Sequence, residues 1–166
     1  MLAASPDIEV KASAGEAQTK ALFFAMVQRK DDVRACVVVD VTGRTLKRAI
    51  LENVDRRSRL MTDQLYTYRR IGKEFPHGHH TVHHHLNEYV RGDVYTNTVE
   101  CYFALLKGGL YGTFHALSKK HLHRYVSDFQ FRWNTRKVDD GEHVVAAIKG
   151  SERKRLMYRE PAQKCA

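Results

Sequence analysis

Apolar positions recur with two different periods along this chain, and the switches between them mark out its elements. Lys20 to Val27 is a continuous apolar run of strand length, and Val33 to Val41 is a second one rich in valine. The polar stretch Gln28-Arg29-Lys30-Asp31-Asp32 between them predicts an antiparallel hairpin. Thr42 can cap a helix through Leu51 with Leu46, Ile50 and Leu51 inward, and Ser58 to Thr62 reads as a short strand ending at Asp63. Tyr66 to Ile71 fits a short helix stopped at Gly72, Pro76-His77-Gly78 makes a turn, and His79 to His85 predicts a strand. From Asn97 the period becomes helical, with Val99, Phe103, Leu106 and Leu110 forming one buried stripe. A cap at Ser118 opens a second helix whose stripe is Leu122, Tyr125, Val126, Phe129 and Trp133. Asp139 to Gly150 reads as a small helix with Val144, Val145 and Ile148 inward, and Met1 to Thr19 has no sustained period and reads as a loose leader.

The order of these elements predicts an α/β domain of RNase H-like fold: paired strands, a helix, a strand ending in an acid, a further helix and strand, then long helices. A length of 166 residues supports one domain with a real core. The expected organisation is a poorly ordered leader over 1–19, the α/β domain over 20–137, and a C-terminal helix with a basic tail over 138–166.

Charge narrows the partner. The net charge of +9 and a pI near 9.6 favour a polyanion, nucleic acid first, because each phosphate neutralised by Lys or Arg releases condensed counterions. No apolar run reaches transmembrane length and Met1 to Val10 lacks signal-peptide order, so a cytoplasmic protein without a membrane partner is expected. Cys36, Cys101 and Cys165 form no Cys-x-x-Cys pair, which argues against a zinc ribbon and a disulfide framework.

The first long helix carries the candidate chemistry. Asn97, Glu100, Ala104 and Lys107 share one face, so an amide, an acid and an amine point the same way. Solvated side chains on an amphipathic helix are the plain reading of such charges. The alternative is a phosphoryl-transfer site, in which the acid holds a divalent metal and the amine meets a phosphate.

The residues that weigh on this choice fall in blocks: Tyr95-Thr96-Asn97-Thr98-Val99-Glu100, Leu105-Leu106-Lys107, Gly112-Thr113-Phe114-His115, Lys120-His121-Leu122-His123-Arg124-Tyr125 and Phe131-Arg132-Trp133-Asn134. In this order they resemble the catalytic domain of bacterial insertion-sequence DDE transposases of the ISXO-like group. That resemblance implies an RNase H-like fold, DNA strand transfer as the activity, insertion-sequence ends and target DNA as partners, and Mg²⁺ or Mn²⁺ as cofactor. It also places a catalytic, metal-binding aspartate on Asp63, within Met61-Thr62-Asp63, and the third catalytic acid on Glu100. Lys107 and Asn97 belong to the same signature. Asp93, just before the predicted helix, ranks below Glu100, because a carboxylate is favoured there whatever the chemistry.

The second long helix offers Lys119, Lys120, His123 and Arg124 on its polar side. With Lys107, Arg132, Arg136 and Lys137 these could grip phosphates along a duplex. The five histidines between His79 and His85 look like a metal tract, but strand alternation would scatter them over two faces.

One part of the pattern is out of place. The resembled family carries its first catalytic aspartate in a Glu-x-Asp-Glu type strand upstream of the hairpin, whereas this chain offers Ile8-Glu9-Val10-Lys11, with lysine where the acid should fall. The expectation is therefore a truncated and inactive copy without its first strand, with impaired metal binding and an exposed sheet edge that could pair two copies into a homo-oligomer. The competing readings are a non-catalytic basic DNA-binding module and a His-rich metal-binding protein.

Overall fold

The computed structural model describes residues 7–14, 22–114 and 119–152. Its centre is a five-stranded mixed sheet in the order β3-β2-β1-β4-β5. The strands are β1 (Asp7–Ala14), β2 (Leu22–Gln28), β3 (Val33–Val38), β4 (Arg59–Thr62) and β5 (His79–Thr81). β1 is antiparallel to β2, β2 to β3, while β1 and β4, and β4 and β5, run parallel. Among the described residues no helix is long and apolar enough to cross a membrane.

The middle strand corrects the expectation of a missing first strand: Asp7–Ala14, assigned to the leader, is β1 and binds a neighbour on each side. Its residues alternate, but in an unusual sense. Ile8 and Val10 enter one core, and on the opposite face stands Glu9, with no exposed surface at all. The alternation is real; the charges simply face the protein rather than water.

The two faces of the sheet are covered by different helices. α1 (Gly43–Asn53) and α2 (Thr67–Gly72) close the first core, burying Leu46, Ala49, Ile50, Tyr68 and Ile71 against Ile8, Val10, Phe24 and Met26. α3 (Asn97–Gly109) and α4 (Leu122–Asn134) close the second, with Val99, Tyr102, Phe103, Leu106, Leu122 and Val126 on Phe23, Ala25 and Val27. β2 is thus buried on both sides, which is why its sequence is apolar without alternation. Thr42 caps α1 by accepting from the Thr45 N–H, as expected. α3 runs on through Gly109 into a wider turn over Leu110–Phe114, and a Cβ at Gly109 would fall 2.1 Å from the Phe129 ring of α4, so a side chain there would force that ring to move.

Three further expectations change. The histidine stretch is a strand only over His79–Thr81 and continues as a 3-10 turn at His84–Leu86. The supposed loop before α3 holds a small hairpin of β6 (Val90–Arg91) and β7 (Val94–Tyr95). Helix α5 (Asp140–Ser151) is capped by Asp139 but leaves Val144, Val145 and Ile148 exposed by 56%, 49% and 64% instead of inward. Cys101 is free and exposed. The predicted cap Ser118, His115 and the tail Lys154 to Arg159 lie outside the described residues.

The outer edge of β3 is not open. The Asn134 side chain accepts from the Val33 N–H at 2.8 Å and donates to the Val33 carbonyl at 3.1 Å, and Gln130 accepts from the Ala35 N–H at 2.9 Å. Two amides one helical turn apart on α4 thus occupy ladder positions that another strand would use.

Candidate active site

Three chain segments converge at the ends of β1 and β4. The two strands run parallel with Glu9 opposite Met61 and Val10 opposite Thr62, so the next residue of each, Lys11 and Asp63, are neighbours where β4 stops. The Asp63 carboxylate accepts from the Leu65 N–H at 3.2 Å, as an acid at a strand end commonly does.

α3 is brought to this place by Glu9. One carboxylate oxygen accepts from Thr98 Oγ1 at 2.9 Å and the other from the Val99 N–H at 3.0 Å, which satisfies the first turn of the helix where its amides have no partner within the helix. Arg29 supplies the counter-charge, donating from Nε to Glu9 at 2.9 Å and from Nη1 to Asp7 at 3.0 Å. Its guanidinium lies 3.7 Å from the centre of the Tyr95 ring and donates to the carbonyls of Asp93 and Tyr95, so the small hairpin is tied to the same point. Arg59 joins Asp7 at 2.8 Å and Asp93 at 2.5 Å. Asp93, ranked below Glu100 from sequence, is therefore engaged in an ion pair.

Two residues beyond Glu9, and so on the same face of β1, Lys11 meets the helix again. Its Nζ lies 3.0 Å from Glu100 Oε1. His84 Nε2 stands 2.9 Å from that oxygen, and Thr96 Oγ1 is 3.2 Å from both Glu100 Oε1 and His84 Nε2. Burial raises the Asp63 carboxyl above the usual carboxylate range and the Glu100 charge adds to this; the Leu65 N–H and the charges of Lys11 and His84 oppose it without reversing it. Asp63, Glu100, Lys11 and His84 thus share one electrostatic environment, assembled from four distant parts of the chain.

The other sequence-predicted positions spread out from this centre. Asn97 is exposed at the start of α3, and Lys107 is half-buried near its other end, about 10 Å from Glu100 along the axis. Lys120 is exposed and Arg124 half-buried, both on the approach to and first turn of α4, while exposed Arg132 pairs with Asp128 at 3.0 Å. The Lys119 side chain lies outside the described residues. His83 and His85 pack edge to face with ring centres 5.7 Å apart.

The donor set does not fit the two-metal centre that the resemblance implies. Among the described residues no group of three or more His, Cys, Asp or Glu side chains could hold a metal ion. Lysine has no lone pair to offer while protonated, and its ammonium lies within hydrogen-bonding distance of a carboxylate oxygen that would have to ligate. Sequence reasoning had noted the lysine but set it in a strand judged absent, and it missed Glu9, Arg29 and His84. The signal for Glu9 was present as Asp-Ile-Glu-Val-Lys-Ala, six residues of strict alternation. No curated protein and no solved structure matches the chain. The family model described as the ISXO2-like transposase domain matches residues 3–134, most of the chain, and the protein belongs to that family.

Proposed function

We propose that this chain acts in DNA transposition as a transposase domain that engages DNA without catalysing strand transfer. The strand order, with acids at the end of β4 and on the first turn of α3, supports an RNase H-like reading of the fold. Family membership and the net charge of +9 support DNA as the partner. The DNA-binding groups in this reading are Lys107, Lys120, Arg124 and Arg132, with Asn97 and Glu100 nearest the phosphate backbone.

The observation that carries the loss of turnover is the Lys11–Glu100 ion pair at 3.0 Å. Phosphoryl transfer by paired metals needs carboxylates that converge with their oxygens free, and here a fixed cation consumes one of them. The expected truncation rested on an absent first strand, and β1 is present. The same strand removes the proposed open edge as a reason for self-association.

Purified chain mixed with duplex DNA and Mg²⁺ is expected to bind, with log affinity falling linearly as log salt rises, and to leave the strands intact. Mg²⁺-dependent cleavage or joining would overturn the proposal.

A further inference from the structure

We infer that the Lys11 ammonium is the resident cation of the Asp63–Glu100 pocket, standing where a divalent ion would stand, so that the pocket is closed to divalent metals until residue 11 becomes an oxygen donor. The inference rests on the reading of this pocket given above, and extends it to what the pocket binds.

Geometry supplies the first argument. Lys11 projects from the central strand of the sheet, paired with Ala25 of β2 and one residue past the last β1–β4 pair, Val10–Thr62, so its Cα cannot withdraw without breaking the β1–β2 ladder. The side chains of Lys11 and Glu100 are 25% and 31% exposed, enough shielding that the pair is less screened than a surface contact. Glu100 Oε1 already faces three groups, Lys11, His84 and Thr96, at 3.0, 2.9 and 3.2 Å. A metal ion approaching it must displace the ammonium first.

Charge supplies the second argument. With Asp63 and Glu100 ionised and Lys11 protonated, the three side chains sum to a single negative charge; with an acid at residue 11 they would sum to three. Affinity for a hard dication rises with the number of anionic oxygens it meets, and a lysine both lowers that number and repels the ion. The rest of the frame is in place: the register that sets residue 11 beside Asp63, and Glu9 fixing α3 so that Glu100 meets residue 11.

The experiment is Mn²⁺ binding to the full chain without DNA, by calorimetry and by the Mn²⁺-dependent shift in melting temperature, for the wild type, Lys11→Asp and Lys11→Asp/Asp63→Asn. The wild type should show no Asp63-dependent site. Lys11→Asp should melt below the wild type in chelator, because three acids then crowd one pocket, and should regain stability with Mn²⁺. Its affinity should exceed that of the wild type by roughly ten-fold or more and be lost in the double variant. Should Lys11→Asp fail to fold even with Mn²⁺, Lys11→Asn carries the same expectation with a neutral oxygen donor. An Asp63-dependent Mn²⁺ site in the wild type, or no gain from either substitution in folded protein, would overturn the inference. A wild type that takes no metal but fails to bind DNA sinks the proposed function and leaves this inference standing.

Discussion

Glu9 is a charged side chain with no exposed surface, and its cost is met by an arginine and by the open end of a helix. Removing either partner should therefore matter more than removing the acid. Arg29→Met strands a buried carboxylate and should cost about 3–5 kcal/mol in urea denaturation, whereas Glu9→Gln, which leaves the Arg29 guanidinium still paired with Asp7, should cost less. Equal losses would show that the charge is not what Arg29 serves. Two aspartates should respond to pH with opposite sign. Burial raises the Asp63 carboxyl, so the fold favours its protonated form, and ionising it costs stability as pH climbs from the ordinary carboxylate value through the raised one. Asp63→Asn should then melt above the wild type at neutral pH, with the gain fading in acid. Hydrogen bonding from Arg59 lowers the Asp7 carboxyl despite partial burial, so its contribution is present above the ordinary value and lost as pH falls through the lowered one. Asp7→Asn should melt below the wild type at neutral pH, with the deficit closing in acid; melting curves from pH 3 to 8 decide both.

β1 and α4 show how an element can be misread when its partner is unknown. Alternation of charge and apolar side chain normally signals a strand with one wet face, yet the polar face of β1 lies under the start of α3 and receives Arg29 from the turn after β2. The sequence reading passed over it because the segment is short, acidic and basic by turns, and sits among small residues. α4 was legible as a helix from its apolar stripe, but its task at the sheet edge was not, because Gln130 and Asn134 look like ordinary surface amides until β3 is beside them. Replacing both with alanine leaves backbone groups of Val33 and Ala35 unpaired. The expected result is a loss of about 1–3 kcal/mol together with concentration-dependent self-association in light scattering, as the edge becomes available to another strand. A double variant that stays monodisperse and loses no stability would show that the clamp is incidental. α5 failed in the other direction: its apolar residues have helical spacing, but the ring stack of His143 on Phe131 at 5.0 Å does not bring them under cover.

The net charge of +9 makes the proposed engagement of DNA largely a counterion effect. Lys107 and Lys120 lie on different elements, α3 and the 3-10 turn before α4, so their contributions should be separable. Replacing either by alanine should weaken binding to any duplex alike and reduce the slope of log affinity against log salt by about 0.9. An unchanged slope in the Lys107 variant would remove that residue from the DNA-binding set.

From the order of residues alone came most of the α/β architecture, because hydrophobic period and turn chemistry are local, and so did the candidacy of Asp63 and Glu100, because the blocks around them resemble a family whose model also matches the chain. What had to wait for the folded chain was contact between distant segments. Lys11 and Glu100 are 89 residues apart, and Glu9 and Val99 are 90. No window along the polypeptide contains both members of either pair. Whether Lys11 is a surface charge or the partner of Glu100 depends on strand register and helix placement, and those are set by packing across the whole sheet.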